Sequence, residues 1–214
     1  MPGIDKISAA FREHYSSAFN EHGPTPQGVG WNGEDRARLR YDKMLAVLNT
    51  DYAPAGRTPS LLDVGCGYGG LLARAEELKI DLNYTGIDVA GNMVSYAREN
   101  LPDGEFVEGN ILDWQPGKKF NYVVCNGILT KKLSTSDSDM DEFAHRLIQE
   151  LFQLCSVGSA FNVMSTKVDY TDPELYYKDP SEMMEFCLAN LSRYVRLDHG
   201  YPLYEYTLYV YTGS

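Results

Sequence analysis

Residues 61–70 read Leu-Leu-Asp-Val-Gly-Cys-Gly-Tyr-Gly-Gly, an apolar strand that runs into a glycine-rich loop. Glycine lets the backbone turn sharply and lets a ligand come within contact distance of main-chain N–H groups. Gly65, Gly67 and Gly70 match the GxGxxG spacing of dinucleotide-binding folds, while Gly65, Gly67 and Gly69 match a GxGxG spacing equally well. The loop therefore predicts a nucleotide-like ligand beside a helix start and leaves the kind of ligand open.

Beyond this loop, strand patterns alternate with helix patterns along the chain. Helices of ten or more residues between short apolar strands favour a parallel sheet with helices on both faces. The sequence thus predicts an α/β fold with a doubly wound sheet. The predicted strands of its parallel part are SLLDVG (60–65), NYTGID (83–88), EFVEGN (105–110), FNYVVCN (120–126) and SAFNVMS (159–165).

The end of the chain departs from this alternation. Two strand patterns, RYVRLDH (193–199) and YEYTLYVY (204–211), are joined by a short connection. A short connection between strands implies an antiparallel hairpin. We therefore expect seven strands that are mostly parallel, with an antiparallel final strand.

The first 57 residues have a helical pattern of their own. Residues 4–19 place apolar side chains at steps of three or four, and a second helix is expected from about Glu34, with Asn32 as its cap. We interpret residues 1–57 as a helical cap segment and residues 58–214 as the ligand-binding domain.

Three polar side chains follow the strand ends near the glycine loop. Asp63 precedes the first glycine, where a carboxylate repels a pyrophosphate but can hold an ammonium group. Asp88 ends the next strand, where an acid accepts hydrogen bonds from both ribose hydroxyls. Asn110 follows the third strand with Ile111 beside it, suited to an adenine edge and an adenine ring. This set describes a nucleoside that carries an amino acid, which favours S-adenosylmethionine over NAD.

At this point the chain resembles the class I S-adenosylmethionine-dependent methyltransferases. LLDVGCGYGG is similar to their first motif, and YTGIDVAGNMV and FVEGNILDW are similar to the ribose-binding and adenine-binding stretches. FNYVVCNGIL resembles the strand whose end faces the methyl group, and the antiparallel final strand agrees with the family's sheet. Asn110 departs from the family pattern, which often has Asp there. The resemblance implies a cofactor site formed by Asp63, Gly65, Cys66, Gly67, Gly69, Asp88, Val89, Met93, Asn110, Ile111, Asn126 and Gly127.

Candidate catalytic and substrate-binding residues lie outside these motifs. His14 is a candidate base, although a half-buried packing histidine is the alternative, and Tyr15 is its neighbour on the same helix. Sixteen tyrosines suggest an aromatic site for a planar or cationic substrate, with strand packing as the alternative. We also consider that Arg40 holds the cofactor carboxylate. The candidate substrate-binding residues are Trp31, Lys131, Tyr177, Tyr201 and Tyr204.

Composition restricts the partners. The formal net charge is −11, and no run of five basic residues occurs, which argues against nucleic acid as a partner. Four separated cysteines without a CxxC pair predict free thiols in a reducing compartment, with neither zinc nor a redox motif. No signal peptide or membrane-spanning stretch is apparent, so we expect a cytoplasmic protein, without a metal, that acts on a small molecule.

These observations predict methyl transfer from S-adenosylmethionine to an oxygen or nitrogen atom by in-line displacement, leaving S-adenosylhomocysteine. Three alternatives stay open. An NAD-dependent oxidoreductase would explain the glycine loop, aminopropyl transfer from decarboxylated S-adenosylmethionine uses a similar fold, and a non-enzymatic protein would bind the cofactor without turnover.

Overall fold

The computed structural model describes residues 2–52 and 56–213. The N-terminal segment is helical, as predicted, with α1 at Pro2–His22, a 3-10 turn at Pro26–Val29, α2 at Glu34–Leu45 and a second 3-10 turn at Ala46–Leu48. The predicted cap of α2 is wrong, because Gly33 takes that position with φ of 88° and no side-chain cap. Residues 1 and 53–55 of the expected cap segment lie outside the described residues.

The rest of the chain alternates strands and helices as predicted. The helices are α3 (Gly70–Glu77), α4 (Gly91–Asn100), α5 (Asp137–Leu154) and α6 (Pro180–Asn190), with a 3-10 turn at Ile128–Thr130. The strands are β1 (Ser60–Val64), β2 (Asn83–Asp88), β3 (Glu105–Glu108), β4 (Phe120–Cys125), β5 (Cys155–Ser165), β6 (Tyr177–Lys178), β7 (Tyr194–Asp198) and β8 (Glu205–Tyr211).

The sheet has the order β3-β2-β1-β4-β5-β8-β7, and β6 adds a two-residue pairing to β5. Strands β1 to β5 pair in parallel, whereas β8 is antiparallel to both β5 and β7. This confirms the seven-stranded, mostly parallel sheet with an antiparallel final strand. β8 lies between β5 and β7, so all its residues are buried, whereas β7 is partly exposed at the edge.

Two apolar layers cover the sheet. One joins the inner faces of α1, α5 and α6 to the strands, and includes Ile4, Ile7 and Phe11. The other joins α2, α3 and α4 to the opposite face. The N-terminal helices therefore share the core of the sheet domain and are not packed as a separate body.

The strand order places a crevice at the carboxyl ends of β1 and β4. The chain moves from β1 to β2 and β3 on one side and to β4 and β5 on the other, so the connections diverge there. Ligands of open α/β sheets bind outside the carboxyl ends of the strands at such a point. Helix α1 contacts both α4 and α5, and so lies across this edge.

Candidate active site

Two neighbouring cavities open at the carboxyl edge of the sheet. The first lies along the ends of β1, β2 and β4 beneath α1. The second has a volume of about 620 Å³ and lies between the cap segment, the turn after β4 and the segments that follow β5 and precede β8. Tyr15, Val29 and Trp31 line both cavities, so the two spaces share a wall.

The glycine loop forms the floor of the first cavity. The N–H groups of Gly65 and Cys66 donate to the Ile87 carbonyl at 2.8 and 3.2 Å, which ties the loop to β2. Gly65 has φ of +77°, and a Cβ there would come 2.6 Å from Ile128 Cδ1. The backbone conformation and the close approach together require glycine at this position.

Asp88 at the end of β2 is held by the backbone around it. Its Oδ2 accepts from the Gly67 N–H at 2.9 Å, and its Oδ1 accepts from the Ala90 N–H at 2.8 Å. Burial raises the pKa of this carboxyl, and the backbone donors oppose that rise. Asp88 lines the first cavity, and each carboxylate oxygen has a second lone pair that can accept a further hydrogen bond.

Asp63 in β1 is a buried acid with one free oxygen. The Tyr84 hydroxyl donates to its Oδ2 at 2.7 Å, while Oδ1 has no partner among the described residues. Burial raises the pKa of Asp63 to about 7, although the Tyr84 hydrogen bond lowers it. An unpaired buried carboxylate oxygen at a cavity wall fits a cationic ligand group.

Asn126, directly after β4, has a buried side-chain amide. Neither its Oδ1 nor its Nδ2 finds a hydrogen bond within residues 2–52 and 56–213. The next residue, Gly127, is fixed because its N–H donates to Asn162 Oδ1 at 2.8 Å. A buried amide costs free energy unless it is hydrogen-bonded, so this amide is suited to a ligand.

The predicted adenine contact lies at the far end of the first cavity. Asn110 Nδ2 donates to Ser8 Oγ of α1 at 3.2 Å and to Asp113 Oδ2 at 3.1 Å, and Oδ1 accepts from the Leu112 N–H. Ile111 is buried beside it and also lines the cavity. The amide is therefore held in place, and the carbonyl oxygen keeps one lone pair for a ligand.

Two tyrosines that sequence patterns did not identify as site residues supply further cavity walls. Tyr41 of α2 and Tyr68 of the loop line the first cavity, and a Cβ at Gly70 would come 2.1 Å from the Tyr41 hydroxyl oxygen. Trp31 packs on Tyr41 with ring centroids 5.4 Å apart. These contacts join residues far apart in sequence, so local periodicity carries no signal for them.

Comparison with known proteins identifies the fold and the family. A family model described as a methyltransferase domain matches residues 61–151. Rv1506c of Mycobacterium tuberculosis, which carries the designation methyltransferase, is 31% identical over 160 residues that cover 72% of this chain and 94% of that protein. The chain belongs to the class I S-adenosylmethionine-dependent methyltransferases.

Further similarities agree with this assignment. The trans-aconitate 2-methyltransferase of Escherichia coli is 34% identical to this methyltransferase over 76 residues, 36% of the chain and 30% of that enzyme. Magnesium protoporphyrin IX methyltransferase of Synechocystis PCC 6803, solved with bound S-adenosylhomocysteine, superposes with a TM-score of 0.66 at 13% identity. That likeness covers 97% of this chain and 98% of the other, and shows a shared fold. Family membership favours methyl transfer over the hydride and aminopropyl alternatives.

The methyltransferase brings most of the predicted cofactor residues to one cavity. Gly69 is the exception. It is the N-cap of α3 with φ of +88°, and a Cβ at this position would contact Leu101 and Phe106 and would not face the cavity. The residues that do line it are Asp63, Gly65, Cys66, Gly67, Asp88, Val89, Met93, Asn110, Ile111, Asn126 and Gly127.

Some of the predicted substrate-binding and catalytic residues line a cavity, and others line neither cavity. Tyr201 lies outside both cavities, bonded to the Thr207 hydroxyl at 2.8 Å with Lys43 Nζ 4.6 Å from its ring centre. His14 also lines neither cavity; its ring packs edge-on against Tyr15, and burial, together with the Lys131 charge, lowers its pKa. The residues that line the second cavity as predicted are Trp31, Lys131, Tyr177 and Tyr204, and Tyr15 lines both cavities.

Arg40, considered above as a partner of the cofactor carboxylate, lines the second cavity and not the first. It forms an ion pair with Glu205. Among the described residues, the methyltransferase has no group of three or more His, Cys, Asp or Glu side chains placed to hold a metal ion. In the same part of the chain, no helix has the length and apolar character needed to cross a membrane.

Proposed function

We propose that this methyltransferase methylates an oxygen or nitrogen atom of a small molecule that binds in the second cavity. The observation that carries the proposal is the shared wall: Tyr15, Val29 and Trp31 line both cavities. A donor in the first cavity and an acceptor in the second would meet there, away from bulk water.

We assign the cofactor to the first cavity because its unpaired atoms match the cofactor's groups. Asp63 Oδ1 would hold the ammonium group, and the remaining lone pairs of Asp88 would accept the ribose hydroxyls. Asn110 and Ile111 would contact adenine, and Asn126 with Gly127 would lie nearest the reacting centre. The bound sulfonium supplies an already activated methyl group.

The chain's own task is therefore alignment and exclusion of water more than chemical activation. Burial raises the pKa of the Tyr15 hydroxyl, so this phenol stays protonated at neutral pH. A protonated phenol at the shared wall would donate a hydrogen bond that orients the acceptor, and it would not act as the base. Because His14 lines neither cavity, we assign no proton transfer to it; the proton that a hydroxyl or amine acceptor loses on methylation would pass to solvent through the second cavity.

Support for a small acceptor comes from the second cavity and from a relative. A volume of about 620 Å³ lies within the usual range of small-molecule sites, about 300–1,000 Å³. The E. coli relative is named for a small acid, trans-aconitate. We also propose that residues 1–57 act as a cap over the domain formed by residues 58–214.

Transfer of a labelled methyl group tests the proposal. Protein incubated with methyl-labelled S-adenosylmethionine and a cell extract should place label in the low-molecular-mass fraction. The Tyr15→Phe variant should lower kcat and leave S-adenosylhomocysteine affinity unchanged within about twofold, because a hydrogen bond to the acceptor is lost. Label found only in protein or nucleic acid would contradict a small-molecule acceptor.

A further inference from the structure

The charges around the second cavity differ from those of the whole chain. The chain carries a formal net charge of −11, but the cavity is lined by three cations, Arg36, Arg40 and Lys131, and one acid, Asp172. The Arg40 charge is neutralised by Glu205. Arg36 and Lys131 have no ion-pair partner among the described residues, so two uncompensated positive charges face one carboxylate.

Lys131 is held at the cavity wall and has no ion-pair partner within residues 2–52 and 56–213. Its backbone forms a bridge with Leu175, and its side chain passes close to Gly30, with Cε 3.5 Å from the position a Cβ would take there. The neighbouring Lys132 points elsewhere and pairs with Asp137 at 2.6 Å. Of these two adjacent lysines, Lys131 lines the second cavity and Lys132 does not.

The single acid of this cavity is already engaged with its own loop. Asp172 Oδ1 accepts from the Glu174 N–H at 2.8 Å. Its hydrogen-bonding role is therefore the stabilisation of a turn. The Asp172 carboxylate keeps its charge, so the three cations of the lining exceed Asp172 and the paired Glu205 by one, which suits a ligand with one anionic group even in an acidic protein.

Aromatic rings also line the second cavity. Tyr170 and Tyr204 are 70% and 42% exposed, and their rings meet edge to face with centroids 5.9 Å apart at the cavity rim. Trp31 and Tyr177 line the same space. Large exposed rings around a concave site are suited to a flat, apolar ligand part.

We infer that the methyl acceptor is a planar small molecule with an anionic group, such as an aromatic carboxylate, whose charge is held by Lys131 with Arg36 at the rim. The inference rests on the proposed function, since it names the substrate class of the same cavity. The rings would bind the flat part, and the shared wall at Tyr15 would receive the atom to be methylated.

Matched pairs of ligands test the charge requirement. Protein saturated with S-adenosylhomocysteine is titrated calorimetrically with 4-hydroxybenzoate, naphthalene-2-carboxylate and indole-3-acetate, and with the primary amide of each. At least one acid should bind roughly tenfold or more tightly than its amide, because a charge-assisted hydrogen bond is lost in the amide. Equal affinity for acid and amide, or binding of neither, would overturn the inference.

Two lysine variants locate the effect. Lys131→Met should abolish the preference for the acid, and Lys132→Met, which removes a lysine paired outside the cavity, should retain it. A preference that survives Lys131→Met overturns the assignment. Binding of S-adenosylhomocysteine distinguishes failure of the proposed function from failure of the inferred substrate class. If S-adenosylhomocysteine does not bind, the cofactor site is refuted. If it binds but no acid is preferred over its amide, only the substrate class is refuted.

Discussion

Arg40 of α2 and Glu205 of β8, 165 residues apart in the chain, form a buried ion pair. Arg40 Nε lies 3.1 and 3.0 Å from the two carboxylate oxygens, and Nη2 lies 2.9 Å from Oε2. Asn162 Nδ2 also donates to Glu205 at 3.0 Å, and Asn162 Oδ1 accepts from the Gly127 N–H. One connected network thus links the cap segment, the last strand and the loop between the two cavities.

Loss of the Glu205 charge should destabilise the fold. The Glu205 side chain is 1% exposed and that of Arg40 is 14% exposed, so Glu205→Gln leaves a largely buried guanidinium without a counter-charge. Removing one partner of such a pair costs about 3 kcal/mol. The free energy of unfolding, measured in urea, should fall by that amount. Asp137→Asn, which removes an exposed partner of Lys132, should cost less than about 1 kcal/mol, and equal costs would contradict the role assigned to the network.

Asp88→Ala should weaken S-adenosylhomocysteine binding by one to two orders of magnitude. The substitution removes the proposed ribose acceptors and the two backbone hydrogen bonds that hold the loop. Hydrogen bonds to a charged group contribute about 1.5–3 kcal/mol each. Calorimetry measures the change, and Asp81→Ala, at an exposed position before the same strand, is the control. Equal affinities of the two variants would refute the assignment of Asp88.

Cofactor affinity should depend on pH through Asp63. Burial raises the pKa of this carboxyl to about 7, so in the free protein it is protonated below that pH. An ammonium group binds the ionised form, and binding at lower pH must therefore release a proton. Affinity for S-adenosylhomocysteine should fall as pH drops below about 7, approaching about tenfold per pH unit.

Two controls isolate the contribution of Asp63. The Asp63→Asn variant should bind S-adenosylhomocysteine more weakly and without this pH dependence. 5′-Methylthioadenosine lacks the amino-acid part, so its affinity for the unmodified protein should stay flat over the same range. A slope that persists in Asp63→Asn would assign the proton to another group.

Gly65→Ala should affect both stability and binding. Its φ of +77° strains any other residue by about 1 kcal/mol, and the new methyl group would lie 2.6 Å from Ile128 Cδ1 at the cavity wall. Gly117 has a similar φ of +67° with nothing within 4 Å, so Gly117→Ala reproduces the strain alone. In urea unfolding, backbone strain should lower the free energy of unfolding by similar amounts in the two variants. Only Gly65→Ala should weaken S-adenosylhomocysteine binding measurably. Unchanged binding in Gly65→Ala would place the loop outside the cofactor contact.

The sequence by itself determined the order of elements, the sheet type and most of the first cavity. Strand and helix periodicities depend on neighbouring residues, and the parallel topology brings strand ends such as Asp63, Asp88 and Asn126 to one edge whatever the details of packing. Gly69 was the predicted cofactor residue that does not line the first cavity, since the sequence shows its place in the loop but not the direction in which it faces.

Only the tertiary structure decided which side chains of the cap face the cavities. His14 and Tyr15 are neighbours on α1, and the rotation of that helix against α4 and α5 places Tyr15 on the shared wall and His14 outside it. Likewise, Arg40 pairs with Glu205 and does not line the first cavity, because α2 packs near β8. Contacts between elements far apart in the chain arise from the packing of buried surfaces, and local periodicity carries no information about them.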